Sequence, residues 1–398
     1  MKSWRERLAL PAVIASEAAG SPASAAWTFP LMIFAAFVVS WGAEAAEFLI
    51  SQGLALAVLA LIQTLPEFAV EAVIAWKAGK DPEMVHLAIA NFTGSLRLLT
   101  GLGWPMIYAV AAFYSRRKHG RPLGSIDLHD DHAVEVLGLL PPLGWFIVVW
   151  AKASLSLLDA FVLTMTYVVY LAVLLKLPPR ADEPEEDEEI PRVSRWALAQ
   201  QGWKKWAAVI GLFVVGGTII YFVAEPFLVS MMALAATMGI SQFVFIQWVA
   251  PFLSEFPEKT SAFAWARRVT RAPVALMNMV SSNINQWGVL SAMLAVIYCW
   301  SKGEVTALPF DDFQRLEILL TIVQAFLGWI FLASMSLSAY EAGGLFALWV
   351  IQFVRPSLRK EMLFVYGAWI VFELVRIAVG KQKIRAFGAF GRVWRNRR

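Results

Sequence analysis

Apolar stretches long enough to cross a bilayer, which takes about 20 residues, recur along the whole of this 398-residue chain. Nothing else in the sequence restricts the fold as severely. The hydrocarbon core offers no hydrogen-bond partner to the backbone. Continuous apolar runs that cross it must therefore satisfy their own amides, as helices do. The runs fall at about 28–50, 53–76, 84–113, 132–151, 155–177, 204–237, 241–265, 273–300, 313–337 and 340–355, with a further one at 361–380. Hydrophobic residues make up 59% of the chain and charged residues 16%, against about 25% charged in soluble domains. The sequence predicts an all-α polytopic membrane protein whose partners are the lipid bilayer and not nucleic acid.

Composition narrows the chemistry further. The single cysteine, Cys299, excludes an intramolecular disulfide and argues against a thiolate metal site. There is no nucleotide-binding loop and no spacing of a catalytic triad, so neither an enzyme nor a bound cofactor is expected. The sequence divides into an N-terminal arm (1–27), a first membrane repeat (28–177), an acidic linker (178–203), a second membrane repeat (204–355), and a C-terminal helix with a basic tail (356–398). The arm, with Lys2 and Arg5 before a short apolar run to Ala15 that Pro11 interrupts, is read as amphipathic and lying on the membrane surface, with a signal peptide ending near Ala26 as the lesser reading. The linker carries Pro178, Pro179, Pro184 and the run Asp182, Glu183, Glu185, Glu186, Asp187, Glu188, Glu189, too polar to bury a core.

Orientation follows from lysine and arginine in the loops. One side collects residues such as Lys77, Lys80, Lys152 and Lys302. The other collects Arg116, Arg117, Lys118, Arg121, Arg267, Arg268 and Arg271. If 361–380 crosses the membrane, the basic tail joins the richer side. The N-terminus is then outside the cell membrane, and the linker and C-terminus are cytoplasmic.

Two segments repeat. Ser51-Gln52-Gly53, an apolar run and Gln63-Thr64-Leu65-Pro66-Glu67 match Ser241-Gln242, an apolar run and Ser254-Glu255-Phe256-Pro257-Glu258. Each is followed one helix later by a polar cluster: Asn91 to Ser95 in the first half and Asn278 to Gln286 in the second. Five crossings separate the two Pro-Glu motifs, and an odd number reverses orientation. The expected architecture is two inverted five-helix repeats, forming a ten-helix core, plus one added C-terminal helix. Transporters built this way place their substrate at mid-membrane where broken helices meet.

A glutamate inside a span costs about 2.5–3.5 kcal/mol on insertion scales. Two such residues in matched positions need a reason beyond packing. Proline beside each frees backbone carbonyls. Carboxylates, hydroxyls, amides and carbonyls together form the all-oxygen set that hard cations such as calcium take.

These motifs resemble those of the calcium/cation antiporter superfamily, which includes the sodium/calcium exchangers. That family carries Gly-Thr-Ser-Leu-Pro-Glu in one helix of each repeat and a Gly-Asn-x-x-Gly-Ser-Asn-x-x-Asn/Asp pattern in the next. The resemblance implies a ten-helix exchanger core with Glu67 and Glu258 as principal carboxylates. It implies oxygens from Thr64, Ser95, Ser254 and Ser282, and puts Gln286 where the family has Asn or Asp. Gln63, Glu255, Asn91 and Asn278 occupy neighbouring motif positions. The implied activity is secondary antiport of a cation, calcium by default, against sodium or protons. Ile62 and Leu253 replace family glycines, Leu99 replaces a polar ligand, and Arg97 falls inside the ligand segment. A buried guanidinium needs a partner, and Glu71, Glu255 and the Pro-Glu carboxylates are the sequence's candidates. The departures leave two other readings open: a monovalent cation/proton antiporter, and a transport-inactive scaffold or regulatory relative.

Other polar residues have plainer readings. Glu44, Glu47 and Glu225 either line an access route or snorkel to the interface. His129-Asp130-Asp131-His132 looks metal-like but falls between spans, which favours a solvated turn. His86 is read as an interface residue.

Overall fold

The structure, a computed structural model, describes residues 21–49, 61, 64–176 and 191–395. Most of the N-terminal arm, the Ser51-Gln52-Gly53 motif, Gln63, the side chain of Glu47, the acidic run and the last three residues lie outside the described residues. In the first half the chain forms α1 (Ala25–Glu47), α2 (Leu65–Ala78), α3 (Val85–Leu98), α4 (Trp104–His119), β1 (Ser125–Asp127), α5 (Ala133–Gly138), α6 (Leu140–Ala151), β2 (Ser154–Leu155) and α7 (Leu157–Lys176). The second half forms α8 (Arg192–Leu198), α9 (Trp203–Thr237), α10 (Gln242–Ser254), α11 (Phe256–Arg267), α12 (Ala272–Asn285), α13 (Ser291–Lys302), β3 (Leu308–Pro309), α14 (Asp312–Leu332), β4 (Ser336–Ser338), α15 (Ala339–Val354), α16 (Arg359–Ala378) and α17 (Ala386–Arg395). The fold is all-α, as the sequence predicts.

The two halves repeat their order in detail. A 3₁₀ turn (Pro82–Met84, Val269–Arg271) leads into a 14-residue helix, α3 or α12. A five-residue π-helical turn follows in each, Leu99–Gly103 and Gln286–Leu290, and then α4 or α13. Both of these helices end on a left-handed glycine, Gly120 (φ 69°) and Gly303 (φ 77°). Further on, the only non-glycine residues with positive φ among those described, Ala153 (54°) and Met335 (63°), turn the chain at matching places before β2 and β4.

Among the described residues, six helices are long and apolar enough to cross a membrane by themselves, including 130–151, α7, α9 and α14. The expected continuous span 241–265 is instead broken at Glu255, between α10 and α11. Pro257 has no N–H to give to the carbonyl four residues back and its ring crowds that turn, so a new helix starts at Phe256. The expected linker 178–203 also ends in structure, because Arg192–Leu198 is helical after Pro191.

The chain divides into two compact units that cut across the halves. The first is 1–91 with 179–258, and the second is 92–178 with 259–398.

In the first unit α1 runs along α9. Gly216 permits the approach: a Cβ there would stand 2.7 Å from Val39 Cγ2. Buried Thr28 and Ser230 satisfy each other's hydroxyls across this pair at 2.7 Å. Near α8, the Ser194 hydroxyl donates to the Trp41 carbonyl of α1 at 3.0 Å. Lys77 of α2 pairs with Glu225 of α9 at 2.9 Å. His86 stacks on Phe243 with 11° between rings.

In the second unit α12 packs on α4, α13 on α7, and α14 on α6 and α16. The strands are shared reciprocally. β1 pairs antiparallel with β4, and β2 with β3. Exchanging the halves turns one pairing into the other, which is what a pseudo-two-fold axis requires. Gly101, in the first π turn, lies so close to α15 that a Cβ would come within 2.5 Å of Trp349 Cβ. The metal-like His129–His132 segment is a turn ending in a 3₁₀ helix, and His132 is buried rather than solvated, 4.0 Å from Glu135. Asp130 is held by Arg392 of α17 at 2.6 and 2.8 Å.

Candidate functional site

Both Pro-Glu motifs open a helix in the same way. Pro66 and Pro257 are the second residues of α2 and α11, and Glu67 and Glu258 are the third. A proline in the first turn loses no intrahelical bond, because its missing N–H falls where none is made. The glutamates therefore stand in the first turn, where the positive end of the helix dipole interacts favourably with a carboxylate.

The first unit buries several of the predicted polar residues. Thr64, Glu67, Glu71 and Asn91 have no accessible surface, and Ser254, Glu255 and Glu258 are 1% exposed. The Asn91 amide nitrogen donates to Glu67 Oε1 and to Glu71 Oε2, each at 2.7 Å. The Ser254 hydroxyl, from the second motif, reaches the other oxygen of Glu67 and lies 2.9 Å from the Ala250 carbonyl. Its one proton serves one acceptor at a time. The Thr64 hydroxyl donates to the Leu61 carbonyl at 2.9 Å. Glu255 occupies the break itself, with φ −93° and ψ 7°.

The second unit holds the other predicted residues. Ser95, Ser282 and Gln286 have no exposure, and Asn278 is 1% exposed. They lie on α3, α12 and the second π turn. Asn283 of α12 donates to the hydroxyl of Thr100, in the first π turn, at 2.9 Å.

Arg97 is buried, but its partner corrects the sequence reading. Glu71, the expected charge partner, is bonded by Asn91. The guanidinium of Arg97 instead pairs with Glu317 of α14 and donates to Gln352 at 3.0 Å and to the Thr93 carbonyl at 3.3 Å. Glu317 also pairs with Arg359 at the start of α16. Gln324 donates to the Arg97 carbonyl at 3.0 Å, and Tyr366 to Gln324 at 3.0 Å. Geometry decides the choice. Glu317, Gln352 and Arg97 belong to one compact unit, and a buried guanidinium is satisfied by whichever acceptors its fork meets. Glu317, Gln324 and Gln352 went unflagged in the sequence, although each is a polar residue inside an apolar run, the signal that picked out Glu67.

The sequence profile described as "Sodium/calcium exchanger protein" matches residues 21–176 and 208–356, most of the chain. This chain belongs to the sodium/calcium exchanger family. The stretch between the matched segments contains the acidic run. Among solved structures it is similar to the H+/Ca2+ exchanger CAX, with 29% identity, a TM-score of 0.80, and coverage of 99% of this chain and 93% of that one. It also shares the fold of the sodium-calcium exchanger NCX_Mj. Two structures of that protein, each 18% identical, match with TM-scores of 0.54 and 0.55 and cover 95% and 99% of it. No curated protein matches the sequence. Members of this exchanger family are membrane transporters, and the α-helical spans described above are those of a multi-pass member.

Proposed function

We propose that this exchanger is a secondary antiporter that carries a cation of the calcium class against sodium or protons, by alternating access around Glu67 and Glu258. One observation carries the reading: Ser254 of the second motif and Asn91 converge on Glu67 of the first, in a site without solvent exposure. Carboxylate, hydroxyl and amide oxygens are the ligands that hard cations take. The activity of the similar CAX, proton/calcium exchange, points the same way, and NCX_Mj shares the fold. The Arg97 guanidinium is engaged by Glu317, an acceptor it shares with Arg359. In this reading Glu67 and Glu258 supply the negative charge, while the hydroxyls and amides of Thr64, Ser254 and Asn91 fix the carboxylates or complete the shell.

The orientation proposed is N-terminus outside and tail cytoplasmic. Two observations support it. β1–β4 and β2–β3 each join loops that the crossing count puts on one side. Arg392 of the tail meets Asp130 of the segment before α5, which agrees with a crossing α16.

Radiocalcium uptake into proteoliposomes, driven by an outward sodium gradient or by a pH gradient, tests the activity. Uptake by the wild type that is lost in Glu67→Gln and in Glu258→Gln is the expected result. Flux that survives both substitutions would remove these residues from the mechanism.

A further inference from the structure

Glu71 is a carboxylate that the second copy of the motif lacks. It stands four residues after Glu67, one turn along the same face of α2, whereas the residue four after Glu258 is Ala262. It is completely buried. Its hydrogen-bond donor is the Asn91 amide, which it shares with Glu67. Its second oxygen, Oε1, and the Asn91 carbonyl oxygen, Oδ1, are buried acceptors that receive no hydrogen bond. Leaving such an acceptor unsatisfied costs about 1–3 kcal/mol, more for a charged one. These two orphaned oxygens, on side chains that hydrogen-bond to each other and beside a second carboxylate, are acceptors without donors, and a cation is a partner that such oxygens take. The sequence offered Arg97 as that cation, but the guanidinium is bound to Glu317.

Building on the proposed cation site, we infer that Glu71 is a further ligand carboxylate for the transported ion and sets its preference for divalent over monovalent charge. Asn91 holds the two carboxylates one helical turn apart while bringing no charge of its own. Together with Glu258 the site then carries three carboxylates, so a divalent ion leaves one fewer negative charge uncompensated in a buried site than a monovalent ion does, and each such charge is costly. Affinity in oxygen-ligand sites follows the count of ligand charges.

Calorimetric titration of the purified full-length protein with Ca2+ and, separately, with Na+ tests this in wild type, Glu71→Gln and Glu67→Gln. Glutamine keeps the length of the side chain and an acceptor for Asn91. Glu71→Gln is expected to weaken Ca2+ binding about tenfold or more while changing Na+ binding much less, so that the Ca2+/Na+ affinity ratio falls. An unchanged ratio overturns the role of Glu71. Glu67→Gln is expected to abolish binding of both ions. If it binds both like the wild type, the underlying site assignment falls, whatever Glu71→Gln does. Should Glu71→Gln fail to fold, Glu71→Asp decides: a shorter carboxylate that lowers the ratio supports the role, and one that leaves it unchanged overturns it.

Discussion

Ser254 hydrogen-bonds to Glu67 across 187 residues of sequence, joining the second Pro-Glu motif to the first. A hydrogen bond to a charged group is worth about 1.5–3 kcal/mol. Ser254→Ala should lower the stability of the ion-free protein by about that amount, measured as thermal unfolding in detergent. Ser254→Thr, which keeps the hydroxyl, should lose less. Equal losses in the two variants would show that the hydroxyl contributes nothing.

The pair Arg97 and Glu317 should behave as one element. Removing one partner of a buried ion pair costs about 3–5 kcal/mol, because the other charge is left stranded. Glu317→Gln, which strands both Arg97 and Arg359, should destabilise by that order, and Arg97→Met, which leaves Glu317 its Arg359 partner, by less. The double variant should cost clearly less than the two losses added together. A double-mutant cycle in thermal or denaturant unfolding reads the coupling, and strict additivity would contradict the bond.

Gly101 and Gly144 make a matched comparison in the second unit. A methyl group at Gly101 would collide with the Cβ of Trp349, an atom tied to the α15 backbone, whereas one at Gly144 would meet nothing within 4 Å. Gly101→Ala should destabilise by about 1–3 kcal/mol, and Gly144→Ala by less than about 0.5 kcal/mol. Unfolding midpoints of the two variants provide the check.

Topology can be read with single cysteines in a Cys299→Ser background. Val305 is 85% exposed after α13, and Lys383 is exposed between α16 and α17. An impermeant maleimide added to intact cells should label Val305→Cys and should reach Lys383→Cys only after lysis. Labelling of both from outside would contradict a crossing α16.

The elements that hydropathy and proline control were legible in the sequence. The apolar helices that carry Asn91 and Asn278 and the extra helix α16 follow local rules, whereas α2, read as part of a span 53–76, starts at Leu65 beside Pro66. The break at Glu255 was equally local, since Pro257 announces it, but a window averaged over 241–265 conceals a single interrupted turn. The partner of Arg97 was not legible. Glu317 and Gln352 lie 220 and 255 residues away, carry no motif, and become neighbours only through packing of α14 and α15. The same holds for Asn91. The family pattern marked it as a motif residue, while its service to two carboxylates at once depends on a helix–helix approach that spacing along the chain does not specify.

The interleaving of the first unit bears on how the protein is made. Its first segment ends at Asn91 and its second begins at Pro179, so α2 leaves the ribosome long before its partners exist. At roughly 5–20 residues per second, Ser254 is synthesised about 10–40 s after Glu67. For that interval Glu67 and Glu71 must wait in or beside the membrane without the second motif. Insertion of α2 should therefore be the late and labile step of biogenesis, the point at which an insertase or chaperone has most to offer and at which truncated chains are exposed to membrane proteases.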